Sequence, residues 1–200
     1  MDIQASPDSE IAVLQALQQA GFPLAALRVL PAEVEENFYR LNNLPHQLKA
    51  VLAAVDLDNP DEDDVEDAAP LAQQLIAKHY LLDEFIDVFY EGLQALPARI
   101  QLRRVGSLHA RQASKGRPSL LALKDLWRDD WTYDALMRRI HQEHSIALQA
   151  RPIIISSVGL VPADEALQQR VSDSLGYAVR LWCDSQAQGI SCVLKQTDVV

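Results

Sequence analysis

Apolar positions recur at intervals of three and four over most of the chain. Ile11, Leu14 and Leu17 begin the pattern behind Asp8 and Ser9, either of which suits a helix N-cap, and Gly21-Phe22-Pro23 ends it. Pro31 followed by Glu33, Glu35 and Glu36 marks a second start, since proline and acids both suit a first helical turn. Phe38, Leu41 and Leu44 lie on its apolar side. His46 to Val55 predicts a further short helix with Leu48, Val51 and Leu52 inward. Pro70 opens the clearest helical stretch, Leu71 to Leu96, with Leu71, Leu75, Ile76, Leu82, Phe85, Ile86, Phe89, Tyr90 and Leu93 spaced mostly three or four apart. Such a face needs cover from other helices. Residues 1–97 are therefore expected to form an acidic bundle of about four or five short helices.

From Pro97 to Pro118 the periodicity stops. Gly106, Gly116, several serines and a run of bases predict a basic linker or long surface loop over 98–118, and hence a domain boundary. Helix resumes over 119–150. Leu120, Leu121, Leu123, Leu126 and Trp127 mark one segment, and Asp129 or Asp130 caps a second that carries Trp131, Leu136, Met137 and Ile140. The last fifty residues change period. Ile153-Ile154-Ile155 is continuous and β-branched, as a buried strand is. Pro162 to Leu175 is helical and stopped by Gly176. Tyr177 to Cys183 alternates with period two, and Ile190 to Leu194 returns as its hairpin partner. The expected fold class is α+β and mostly helical. In order, it has the acidic bundle, the basic linker, and then, over 119–200, helices joined to a small strand–helix–strand–strand unit.

Charge sharpens this division. The net charge is −10. Residues 1–91 hold 18 acids and four bases, whereas residues 92–124 hold seven bases and no acid. An acidic total makes general nucleic-acid binding unfavourable, because its field repels phosphate. No apolar run approaches the roughly 20 residues that cross a bilayer, and the first residues lack a secretory pattern. With only Cys183 and Cys192 available, a disulfide framework is excluded. A cytoplasmic protein without a transmembrane segment is expected.

Eight carboxylates stand between Asp56 and Asp67. Their mutual repulsion and Asn59-Pro60 predict an exposed loop. Asp56 and Asp58 have the first and third spacing of a calcium loop, but Pro60, Asp61 and Asp67 break the rest of that pattern. His141 and His144 share a helical side and form a possible metal pair, although the zincin spacing is absent and no third ligand is evident. Ser156 to Leu160 follows a strand in a small-residue turn, which is neither a nucleophile elbow nor a phosphate loop. Cys183 and Cys192 flank a hairpin turn and are read as buried thiols, with a redox pair as the alternative.

The basic segment carries the functional expectation. Arg99, Arg103, Arg104, Arg111, Lys115 and Arg117 predict a solvated or intramolecular contact with the acidic 56–67 loop or the 83–91 face, or a surface for an acidic partner protein. RNA or anionic lipid is the remaining alternative, since arginine matches carboxylate and phosphate in a bidentate manner. Trp127 and Trp131 lie on one helical face with Tyr133 and Arg128 nearby. They are core residues or a hydrophobic anchor for that partner. The sequence thus points to a non-catalytic interaction, regulatory or adaptor protein that binds another protein, with no cofactor and no metal. The competing reading is a metal-dependent or small-molecule enzyme using the Ser156–Leu160 turn and the His141/His144 pair.

Overall fold

The computed structural model describes residues 9–143, 145–147, 150–185 and 189–196. Among these the chain is α+β, with eight helices and two small antiparallel sheets. It divides into two compact units. One comprises residues 1–31, 91–115 and 152–200, and the other residues 32–90 and 116–151.

The first unit carries the sheets. Helix α1 (Glu10–Gln19) starts where Ser9 Oγ accepts the Ala12 N–H, so the sequence-predicted cap holds. Strands β1 (Leu27–Leu30), β2 (Arg99–Arg104), β3 (Ala110–Ser114) and β4 (Ile153–Ser157) form a sheet in the order β1-β4-β2-β3. The second sheet is β5 (Leu160–Pro162), β6 (Val179–Asp184) and β7 (Ile190–Lys195). Helix α8 (Glu165–Leu175) is capped by Asp164 and ended by Gly176 in the left-handed region at φ 77°. One core joins α1, α8 and both sheets: Val13, Leu14 and Leu17 pack with Ile154, Val171, Leu181, Ile190 and Val193. Ahead of β7 the backbone of Pro23–Ala25 comes close, with Ile190 N–H donating to Pro23 O and Ala25 N–H to Ile190 O. A Cβ on Gly189 would stand 2.3 Å from Ala25 N, so only glycine admits this approach.

The second unit is helical: α2 (Ala32–Leu41), α3 (Leu44–Val51), α4 (Glu62–Lys78), most of α5 (Asp83–Leu93), α6 (Arg117–Asp129) and α7 (Tyr133–Glu143). Helix α4 packs against α3, α6 and α7. Val65, Ala72, Ile76, Phe38, Leu123, Leu126, Trp127 and Leu136 are buried there.

The finer expectation of a bundle over 1–97 followed by a linker is not confirmed. Leu27–Leu30 is a strand, and residues 98–118 hold β2, β3 and the start of α6. In β2 the alternation of Ile100 and Leu102 was masked by bases that sit inside the sheet. The acidic stretch also differs from expectation. Asp61 caps α4 by accepting the Asp63 N–H, and Glu62, Asp63 and Asp64 occupy its first turn, where carboxylates oppose the helix dipole favourably. Half of the ligand positions of a calcium loop over 56–67 lie on α4, so the stretch is not one open loop. Pro70 lies inside α4 and does not open it, and the continuous helix expected to Leu96 is broken at 79–82. Strand β4 pairs with β1 and β2, while the β6–β7 hairpin forms as expected.

Candidate functional site

Strand β3 is the edge of its sheet. Its register with β2 pairs Arg99 with Ser114 and Leu102 with Arg111, and Lys115 N–H donates to Ala98 O at 3.0 Å. In an antiparallel pair, every second residue turns both backbone groups toward its neighbour. Arg111, Ala113 and Lys115 thus bond to β2, while Ala110, Gln112 and Ser114 turn their N–H and C=O groups away from it. The side chains of Gln112 and Ser114 are exposed. Arg99 is exposed at the start of β2, and Arg111 and Lys115 are half-buried, with Lys115 Nζ donating to Gln94 O at 3.2 Å. The result is an edge flanked by three bases, in a segment without acids.

Beneath this edge lies a buried ion pair. Arg103 is 0% exposed, and its two terminal nitrogens donate to Glu10 Oε2 at 2.8 Å and Oε1 at 2.6 Å. The same guanidinium donates to Ser191 O at 2.8 Å and Ser107 O at 3.3 Å. Glu10 in turn accepts the Gly106 N–H at 2.9 Å and the Val193 N–H at 3.1 Å. One carboxylate and one guanidinium thereby tie α1, β2, the turn after it and β7 together. Burial works against the charge on Arg103, but the hydrogen bonds and charge of Glu10 outweigh it and raise its pKa above the ordinary value.

The remaining predicted residues are scattered. Arg103 faces the interior, and Arg104 is 4% exposed, so neither lies on a surface where a partner binds. Arg117 is exposed, but it belongs to the helical unit at the start of α6. Trp127 is fully buried against Phe38, with ring centroids 4.8 Å apart, and is a core residue. Trp131 is 2% exposed. Its Nε1 donates to the Tyr39 hydroxyl at 2.6 Å, and Arg139 lies 4.9 Å from its ring centroid. It also forms part of the wall of a cavity with Tyr39, Pro45, Leu48, Lys49, Leu52, Ile146 and Ala147.

The features of the enzyme reading are divided between the units, the Ser156–Leu160 turn in the sheet unit and His141 in the helical one. His141 is exposed at the end of α7, and His144 lies outside the described residues. Among the described residues no three His, Cys, Asp or Glu side chains cluster in a metal-binding arrangement. Ser156 is buried, where its Oγ accepts from Gln101 Nε2 at 3.2 Å and donates to Ser157 O at 3.3 Å. Gly159 turns the chain at φ 92°, and Ser185 N–H donates to its carbonyl. Cys183 and Cys192 are free and buried. Burial, with the charge of Glu10 added and Arg103 opposing, pushes the Cys192 thiol far above the ordinary value; burial and Asp164 raise that of Cys183. Neither is an activated thiolate.

Sequence reasoning missed Glu10, which stands in the first turn of α1. It missed the β3 edge as well, whose only signal was the Ile100/Leu102 alternation upstream of Gly106. No known protein family and no curated protein matches the chain. Among the described residues no helix is long and apolar enough to cross a membrane.

Proposed function

We propose that the protein is a non-catalytic interaction protein of regulatory or adaptor type, and that it takes an acidic, extended segment of another protein onto the β3 edge. The single observation that carries this reading is the edge itself: outward backbone groups at Ala110, Gln112 and Ser114, flanked by Arg99, Arg111 and Lys115. An added strand bonds to such an edge through its main chain, and the flanking side chains select its charge. Native sheets commonly protect an edge with charged residues, which also repel like-charged strands. A basic edge of this kind discriminates in favour of acidic segments. The buried Glu10–Arg103 pair supports the reading by fixing the strand behind the edge.

The test is capture from the native host, followed by cross-linking that maps the bound segment. Wild type is compared with an Arg99→Glu, Arg111→Glu, Lys115→Glu variant and with Gln112→Pro. The proline removes an N–H that points away from β2, so β2–β3 pairing survives while the outer ladder does not. The expected result is an acidic segment cross-linked beside β3 and lost in both variants. A partner that both variants retain, or one cross-linked elsewhere, overturns the proposal.

A further inference from the structure

The helical unit holds a cavity of about 400 Å³, within the 300–1,000 Å³ range typical of small-ligand pockets. Its wall is Tyr39 from α2, Pro45, Leu48, Lys49 and Leu52 from α3, Trp131 from the α6–α7 turn, and Ile146 with Ala147. All but one of these side chains are apolar or aromatic. The exception is Lys49, an exposed cation.

The aromatic wall is held rigidly before any ligand arrives. Trp131 donates its indole N–H to the Tyr39 hydroxyl, the two rings stack with centroids 6.3 Å apart, and Arg139 lies over the indole. The indole N–H is spent on the tyrosine hydroxyl, and what lines the cavity is largely hydrocarbon. A ligand that enters is chosen by apolar volume, and its polar end by whatever stands beside Lys49. The acidic surplus of the unit acts at long range and is screened beyond roughly 8 Å at physiological salt. Among the described residues of the wall the one charge, that of Lys49, is positive.

We infer that this cavity binds a small apolar carboxylate, aliphatic or aryl, with its tail against Leu48, Leu52 and Trp131 and its carboxylate beside Lys49 Nζ. The site is independent of the β3 edge, and its ligand needs no partner protein.

The test is calorimetric titration of the full chain with decanoate, decanol and decylamine, each below its micellar concentration. Expected is one saturable site, with decanoate about fivefold tighter than decanol, the size of one partly exposed ion pair, and decylamine weakest. Lys49→Met is expected to bring decanoate down to the level of decanol and leave decanol unchanged. Ala147→Trp, at an exposed position in the wall, fills the space without touching the buried core and is expected to abolish binding of both while the circular dichroism stays as in wild type. Absence of saturable binding, equal affinity for decanoate and decanol in wild type, or binding undiminished in a folded Ala147→Trp overturns the inference.

Discussion

Glu10 accepts hydrogen bonds from two nitrogens of Arg103 and from the backbone N–H groups of Gly106 and Val193, and the Cys192 thiol also bonds to it. A buried charge so surrounded is costly to orphan. Removing one partner of such a pair typically costs about 3–5 kcal/mol, because the remaining charge stays in a dry interior. Glu10→Ala and Arg103→Met are each expected to destabilise by about that amount in urea unfolding. The double variant is expected to cost less than the sum of the two, since no lone charge is left. Additive losses would show that the two side chains are not coupled. The Cys192 thiol gives a second check at this scale. Below the ordinary thiol pKa of 9.0 both the native and unfolded states keep the proton; above it the unfolded chain loses the proton and the native thiol retains it. Stability therefore falls as pH rises past that value, by up to about 1.4 kcal/mol per pH unit. The stability difference between wild type and Cys192→Ala is expected to shrink between about pH 8.5 and 10.5. A constant difference contradicts a buried, protonated Cys192. The buried Cys192 thiol was legible in the sequence, but the Glu10–Arg103 pair was not. An arginine in a basic run reads as solvated, since unpaired arginine is almost never fully buried, and its partner stands 93 positions away.

Elements announced by caps and by period were legible. Ser9 caps α1, Gly176 ends α8, and the alternation after Tyr177 became β6, although α8 starts at Glu165 and not at Pro162. In each case the local signal and the tertiary requirement agree. Elements failed where the two compete. The 61–67 carboxylates argued for a loop by mutual repulsion, but Asp61 at the cap and three acids in the first turn favour a helix, and burial of Val65 and Ala68 decides it. Asp61→Ala is expected to cost about 1 kcal/mol of stability and to lower helicity by circular dichroism, with added calcium changing neither. A silent Asp61→Ala, or a calcium-dependent melting temperature, would restore the loop. Strands β1 and β5 are short, three or four residues. They carry too few alternations to announce themselves and exist because a neighbouring strand pairs with them.

Over the whole molecule, charge follows structure more closely than sequence order suggests. The unit of 32–90 and 116–151 holds 19 acids and nine bases, while the unit of 1–31, 91–115 and 152–200 holds nine of each. The entire net charge of −10 thus belongs to the helical unit. Reading the chain from end to end placed a boundary at the basic segment, because composition changes there. The α+β class was legible from the mixture of periods. The interleaving was not: β2 and β4 are neighbours though about fifty residues separate them in sequence, and no local signal reports such a pairing. Within the sheet unit, the stretch 92–115 around β3 carries five bases and no acid, while the remainder carries nine acids and four bases.

The most direct test of the account is amide hydrogen exchange across residues 98–118, free and with the captured partner. In the free protein, Arg111, Ala113 and Lys115 are expected to be protected by their bonds to β2, while Ala110, Gln112 and Ser114 exchange fast. With the partner bound, those three are expected to slow as well. Uniformly fast exchange over 98–118 in both states would make the segment a linker, and would contradict both the edge strand and the function built upon it.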